Sequence, residues 1–363
     1  MATNDDLHRR DAVLARIEEW RQRAPVLRDD TITMAHGAGG KASQSLIEGV
    51  IRPALSNPEL DRLADAAVLD VPPAHRLVVS TDAFVVTPRR FPGGSIGDLA
   101  VNGTVNDVAC LGARPEAITL SLVLEEGLAV DELRAIVADV AAAAAGAGVQ
   151  VVSGDTKVVE RRAADGCYLT TTGIGFVPTA VVLDATNVRA GDAVVVSGTL
   201  GDHGVAVMMA RGDLALAADV ESDTAALHRL VADLLDAAPE TRWLRDPTRG
   251  GVASTCNELA AASGLGVQLV ESDFPVRPPV AGACELLGLD PLYIANEGKL
   301  VAVVPADAAE IAVATMRRHR EGAEARVIGS ITDDHPGLVV VQTPFGGTRI
   351  VDMLVGDPLP RIC

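Results

Sequence analysis

From Thr31 onward the chain alternates short β-branched runs with Ala-rich stretches of helical period, and this alternation restricts the fold more than any other feature. Leu77-Val78-Val79-Ser80, Val149-Gln150-Val151-Val152 and Ala193-Val194-Val195-Val196 read as strands. Between the first two, Leu133, Ile136, Val137 and Val140 share one helical face, predicting a helix over 131–145 with Asp131 as its N-cap. Further helices are predicted at 203–211, 224–237, 252–263, 280–287 and 306–319, with strands near 266–270, 299–304 and 338–341. Strands and helices intermingle in both halves, so the fold class is α/β (mixed α+β).

A length of 363 residues suits two lobes. The polar stretch 186–192, just after Phe176-Val177-Pro178, separates an N-terminal lobe at 31–185 from a C-terminal lobe at 186–342. A tail follows at 343–363. Residues 1–30 read as a helical extension, because Leu7, Leu14, Ile17 and Trp20 recur at helical spacing and Pro25 stops the pattern. Aromatic residues make up only 2%, so the core must be built from Ala, Val and Leu.

Charge and cysteine usage remove several function classes. With 31 basic against 49 acidic residues the formal charge is −18, a field that repels nucleic-acid backbones and anionic lipid. No run of 18 apolar residues occurs, so no membrane span is expected, and MATNDDLHRR lacks the apolar stretch of a secretory signal. The cysteines are Cys110, Cys167, Cys256, Cys284 and Cys363, an odd number at wide spacings with no C-x-x-C. That excludes a disulfide framework and a thiolate zinc site and points to a reducing, cytoplasmic setting. The first four sit among small or apolar residues and read as inert core thiols.

The chemistry-bearing residues cluster in short polar motifs. Three segments, VVSTD (78–82), VVSGD (151–155) and VVSGT (195–199), each run an apolar strand into Ser, a small residue and a polar turn. His36-Gly37-Ala38-Gly39-Gly40-Lys41 precedes a predicted helix at 42–51, where glycine N–H groups can converge on an anion. It is not a P-loop, because residues 35 and 42 are both Ala. Asp82, Asp107, Asp155, Asp246 and Glu297 each neighbour Gly, Asn, Thr or Ala in turn-like sequence. If these acids and the glycine loop meet on a triphosphate, the like charges require a hard divalent cation such as Mg²⁺. Lys157, in Gly154-Asp155-Thr156-Lys157, could meet a γ-phosphate or a developing oxyanion. The tail ends Pro358-Leu359-Pro360-Arg361-Ile362-Cys363, an extended arm bearing a terminal thiol, as suits a group carrier.

Taken together, HGAGGK (36–41), FPGGSIGDLAVNGTVNDVA (91–109), SLVLEEGL (121–128), VVSGDTKVV (151–159), VSGTLGDHG (196–204), DPTRGGV (246–252), ANEGKL (295–300) and PLPRIC (358–363) resemble the HypE family. These are the carbamoyl dehydratases of [NiFe]-hydrogenase maturation, in the superfamily of aminoimidazole ribonucleotide synthetase and selenophosphate synthetase. The match runs from Thr31 to Cys363, and the terminal PLPRIC is its most specific element.

The resemblance implies a two-lobed fold and a homodimer with ATP near the interface of the N-terminal lobes. It implies a carbamoyl group loaded on Cys363 by the carbamoyltransferase HypF. ATP-driven dehydration to a thiocyanate follows, and the cyanide passes to iron on the HypC–HypD complex. It also implies Glu297 as base and Lys157 as the group polarising the amide oxygen or γ-phosphate. Gly37, Gly39, Gly40, Lys41, Asn106, Asp155 and Thr248 would hold nucleotide, and Asp82, Asp107 and Asp246 would hold Mg²⁺. Asp65 is a weaker addition to the metal set, since many superfamily members carry paired acids where this chain keeps one. A selenophosphate synthetase would need a reactive Cys near the glycine loop, and no Cys precedes Cys110. Two other readings are a metallochaperone or scaffold with Cys363 as a metal ligand, and a nucleotide-binding regulator without turnover.

Overall fold

A computed structural model describes residues 27–64, 66–212 and 219–353. The helical extension, Asp65 and Cys363 therefore lie outside the described residues, apart from the last four residues of the extension.

The N-terminal half is organised by a four-stranded sheet of β1 (His75–Phe84), β2 (Arg114–Glu125), β3 (Gln150–Val159) and β4 (Cys167–Pro178) in the order β1-β4-β2-β3. β4 runs antiparallel to β1 and to β2, whereas β2 and β3 are parallel. The short helical α1 (Lys41–Leu46) continues through a π turn at Ile47–Ile51 into Arg52–Leu55, extending the helix expected at 42–51. The helices α2 (Ile96–Cys110) and α3 (Val130–Ala147) back the sheet. α2 is buried on nearly every side, so the amphipathic period that flags a surface helix is absent from its sequence. It lies close against β4 because Gly173 has no side chain: a Cβ there would stand 2.6 Å from Thr104 Cγ2. In α3 the buried set Leu133, Ile136, Val137, Val140, Ala144 and Ala147 follows the expected period. Its N-cap is Ala129 rather than Asp131, which is a first-turn acid favoured by the helix dipole.

The C-terminal half holds a seven-stranded sheet built from β5 (Ala193–Val196), β6 (Trp243–Arg245), β7 (Gly266–Val270), β8 (Val301–Val304), β9 (Arg326–Thr332), β10 (Val339–Gln342) and β11 (Thr348–Val351). Its order is β11-β10-β7-β9-β5-β8-β6. Both β5 and β8 are buried at every position, which explains their unbroken Val and Ala runs. The helices α4 (Asp202–Arg211), α5 (His228–Ala237), α6 (Gly251–Ser263), α7 (Pro278–Leu287) and α8 (Ala309–Met316) accompany it. The expected helix at 224–237 begins four residues later, at His228.

The expectation that VVSTD and VVSGD end their strands does not hold. β1 continues through Asp82 to Phe84 and β3 continues through Asp155 and Lys157 to Val159. Only Val196 ends its strand before Ser197. The halves also share a core: Val205, Met208, Val280 and Ile294 pack in the cluster that contains Leu99, Leu122 and Leu133. Burying such side chains stabilises each by about 1.5–3 kcal/mol, so the two sheets are held by common apolar contacts.

Candidate active site

Two groups of polar residues form at opposite edges of the N-terminal sheet. At the β3 edge a cleft of about 670 Å³ is lined by Gly37, Gly39, Gly40, Ser43, Asp155 and Lys157. The turn Met34–Gly37 brings the glycine loop against β3, and only glycine permits this approach: a Cβ on Gly37 would lie 2.9 Å from Val158 Cβ. His36 anchors the turn from inside. Its Nδ1 accepts the Thr33 N–H at 3.0 Å, and its Nε2 faces Asp29 Oδ2 at 3.4 Å. The Gly39 N–H donates to Ser43 Oγ at 2.9 Å. Asp155 and Lys157 are exposed, so this edge is an open, backbone-rich cradle with one cation on it.

At the β1 edge the groups are acidic, half-buried at Asp82, Asp107 and Asp246 and buried at Glu297. Asp82 stands on β1, and Ser80 Oγ donates to Asp107 Oδ2 of α2 at 2.6 Å. Asp246 follows β6, and Glu297 lies in the loop before β8 with only 3% exposure. Burial pushes the Asp246 carboxyl up to about 7, with Asp107 and Asp82 adding repulsion. Glu297 is raised well above the usual carboxylate range, first by burial and then by Asp246, Asp223, Asp82 and Asp107. Asp82 is raised by burial and by Asp107, against the lowering effects of the Ala83 N–H and Arg249. These acids repel one another across a site that withholds water from them, the setting that shifts proton affinities in catalytic centres. Among the described residues, no three Asp, Glu, His or Cys side chains could hold a metal ion by themselves.

The two edges are three strands apart. Asp82 is in register with Thr171 of β4, which pairs with Leu120 of β2, which pairs with Gly154 of β3. At the ordinary strand separation of about 4.8 Å this places them roughly 14 Å apart.

This two-sheet architecture is that of a known superfamily. Residues 63–177 match the N-terminal domain of AIR synthase related proteins, and residues 189–341 match the C-terminal domain. Carbamoyl dehydratase HypE of Azotobacter vinelandii is 52% identical over 337 residues, covering 93% of this chain and 98% of that protein. The chain belongs to the HypE carbamoyl dehydratases. The Escherichia coli K12 member is 44% identical over 338 residues, covering 92% of this chain and 100% of that protein. A crystal structure of the hydrogenase maturation protein HypE in complex with ATP superposes with a TM-score of 0.88 at 45% identity, covering 92% of this chain and 100% of that one. Thiamine monophosphate kinase from Aquifex aeolicus shares the fold alone, at a TM-score of 0.56 and 18% identity over 78% of this chain and 91% of that one.

Within this HypE chain, Gly37, Gly39, Gly40, Asp155 and Lys157 meet in the cleft, and Lys41 is the exposed first residue of α1. Asp82, Asp107, Asp246 and Glu297 meet at the other edge through mutual repulsion. Thr248 belongs to the turn after Asp246, where its carbonyl accepts the Gly251 N–H at 3.0 Å. Asn106 needs correction as a nucleotide ligand. It is fully buried, with its amide donating to the carbonyls of Ala225 and Glu297, each at 3.0 Å, while its Oδ1 accepts the Leu227 N–H at 2.8 Å. That side chain pins α2 to the second half and holds the Glu297 loop.

Sequence reasoning missed Asp223, Lys299 and His203. The Glu297 N–H donates to Asp223 Oδ1 at 3.0 Å, and Asp223 Oδ2 pairs with Lys299 Nζ at 3.3 Å in a buried bridge. His203 Nε2 lies 4.0 Å from Glu297 Oε1. Lys299 and His203 stand inside the motifs ANEGKL and VSGTLGDHG, but nothing local in the sequence joins either to an acid. Cys110, Cys167, Cys256 and Cys284 are buried and unpaired, as expected of core thiols. Burial raises all four, Cys256 to about 12 and both Cys167 and Cys284 to about 11, which keeps them out of thiolate chemistry.

Proposed function

We propose that the chain uses ATP to dehydrate a carbamoyl group carried on the sulfur of its own Cys363, giving a thiocyanate that supplies the cyanide ligand of the [NiFe]-hydrogenase iron. The carbamoyl oxygen bonds to the γ-phosphorus as the bond to ADP breaks. The nitrogen then loses its two protons, the C–O bond breaks with its electrons leaving on phosphate, and C≡N forms. The protein supplies position, charge neutralisation and a base. Lys157 orients the γ-phosphate or amide oxygen, and Glu297 takes protons from nitrogen. The raised Glu297 carboxyl, buried among four acids, is the observation that carries this assignment.

ATP occupies the glycine cleft, in line with the related crystal structure of HypE in complex with ATP. The residues at the acidic edge fit Mg²⁺, because the repulsion from Asp107 outweighs the pull of Arg249 on Asp82 and of Arg245 on Asp246, and Mg²⁺ combines one or two carboxylates with phosphate oxygens. Asp82, Asp107 and Asp246 would hold it only together with triphosphate oxygens, since these carboxylates do not form a metal site by themselves, and it would supply charge neutralisation there.

A homodimer reconciles the two edges. Leu77 and Val79 of β1 are 55% and 58% exposed, and the uncharged Ile174, Thr172 and Thr119 beside them are half-buried. Two-fold pairing of that face lays the cleft of one copy beside the acids of the other. The tail reaches the same region. Tyr293 Oη donates to the Asp352 carbonyl at 2.8 Å, and Tyr293 is four residues from Glu297, at most roughly 14 Å along the chain. From Asp352 to Cys363, eleven residues can span about 36–40 Å.

HypF loads the carbamoyl group, in keeping with a solved structure of a HypE–HypF complex, and the HypC–HypD complex receives the product. The experiment is mass spectrometry of the C-terminal peptide after incubation with HypF, carbamoyl phosphate and ATP. Carbamoylation of Cys363 followed by loss of water with Mg-ATP is expected. A carbamoylated peptide that never loses water sinks the dehydratase reading of the tail.

A further inference from the structure

Glu297 faces a problem of stoichiometry. The conversion RS–C(O)NH₂ + ATP → RS–CN + ADP + phosphate removes two N–H protons from one nitrogen. The oxygen leaves inside phosphate, and at neutral pH that phosphate keeps one of the two protons. The other must reach solvent. Serving as the base for both sequential deprotonations, Glu297 cannot accept the second proton until it has passed on the first. Glu297 is 3% exposed, so direct exchange with bulk water is closed to it.

The structure offers one way out on the side of its Oε1. His203, at the start of α4, is fully buried with its Nε2 4.0 Å from that oxygen. Its Nδ1 lies 2.8 Å from Ser222 Oγ. Ser222 is half-buried, its Oγ accepting the Thr224 N–H at 3.2 Å and its own N–H held by the Pro92 carbonyl at 2.8 Å. The edge of the Phe91 ring meets the imidazole at 5.5 Å and 83°, fixing its plane. On the other side, Glu297 Oε2 faces Gly103 of α2, where a Cβ would stand 3.8 Å away at ordinary contact distance.

We infer that His203 and Ser222 form the outward proton path from Glu297, clearing the carboxylate between the two deprotonations of the carbamoyl nitrogen. A small rotation of Glu297 closes the gap to Nε2. The proton passes from Oε1 to Nε2, the Nδ1 proton passes to Ser222, and Ser222 gives it to water. Apo hydrogen bonds of this kind commonly tighten only when substrate binds. His203 acts through Glu297 and is a positioning residue in that sense. Among the described residues, charged groups around the pair include Asp246, Asp223, Asp82 and Asp107 on Glu297, Lys299 on Asp223, and Asp202 beside His203, with Asp202 held by Arg277 at 3.4 Å.

This inference rests on the dehydratase reading above, and its test separates the two. The full-length protein, loaded by HypF, is mixed with Mg-ATP in single turnovers, and water loss from the Cys363 peptide is timed by quenched mass spectrometry. His203→Gln keeps size and polarity but carries no proton. It is expected to slow nitrile formation by about 10–10²-fold while leaving ATP affinity and carbamoyl loading within about twofold. His203→Ala should regain rate with added imidazole, a rescue that a structural role does not produce. Ser222→Ala, the milder variant, should slow the reaction by roughly threefold to tenfold and change its solvent isotope effect. Nitrile formation within twofold of the wild type in His203→Gln overturns the relay alone. Loss of ATP affinity in parallel with rate, without imidazole rescue, also overturns it. A wild-type tail that never loses water overturns the relay together with the reading beneath it.

Discussion

The two edges of the N-terminal sheet are built on opposite principles. The β3 edge is open and relies on backbone: glycines, a serine hydroxyl and one exposed lysine around a cleft. The β1 edge is closed and relies on side-chain charge, with Glu297 buried among Asp82, Asp107, Asp223 and Asp246. The first suits a ligand that brings its own charge and needs only to be held. The second suits proton transfer, because burial makes its carboxyl groups reluctant to ionise. Roughly 14 Å of sheet separates them, so within one copy the two can act together only through a ligand long enough to span that distance.

The largest effect expected falls on neither edge. Cys363→Ala should abolish carbamoylation of the tail while leaving circular dichroism unchanged. A global loss of secondary structure in that variant would mean that Cys363 serves the fold rather than the carrier step. Next, Lys157→Ala and Glu297→Gln, one from each edge, should each lower the dehydration rate by at least ~10²-fold. A near-normal rate in either removes that residue from the mechanism. Mixing the two variants sharpens the comparison. If one copy's cleft works with its partner's acids, each mixed dimer contains one intact site, and random exchange should restore roughly a quarter of wild-type activity. No recovery would mean that both edges serve within a single copy.

Smaller effects probe each edge alone. Gly37→Ala pushes a Cβ into Val158, so ATP affinity measured by calorimetry should fall several-fold with secondary structure preserved. Unchanged affinity would free the cleft from that close approach. At the acidic edge, the raised Glu297 and Asp246 carboxyls bind protons more tightly folded than unfolded. Their stabilising contribution is therefore complete below the ordinary carboxylate range. It is lost as pH rises through the folded values, about 7 for Asp246. The nucleotide-free protein should melt at a lower temperature at pH 8 than at pH 6, and Glu297→Gln should flatten that slope. Equal slopes in the two proteins would show that Glu297 ionises freely.

Much of this was legible from residue order. Strands at 193–196 and 266–270 and the α3 face were readable because burial imposes simple periods on short segments. α2 was not readable, since a helix buried on every side carries no polar stripe. The resemblance implied Asn106 as a nucleotide ligand, yet its donors are spent on Ala225 and Glu297, far away in sequence.

By itself the sequence determined which residue types stand in which motifs, and through the terminal cysteine and glycine loop it pointed to the family. It could do so because motif chemistry is local: turn glycines, strand-borne acids and a cysteine at the chain end keep their meaning wherever they sit. Only the tertiary structure decided which of those motifs meet. It put Asp155 and Lys157 on the opposite sheet edge from Asp82, and it joined Glu297 to His203 and Asp223. Strand order and loop packing are set by long-range burial, to which each short segment contributes only a part.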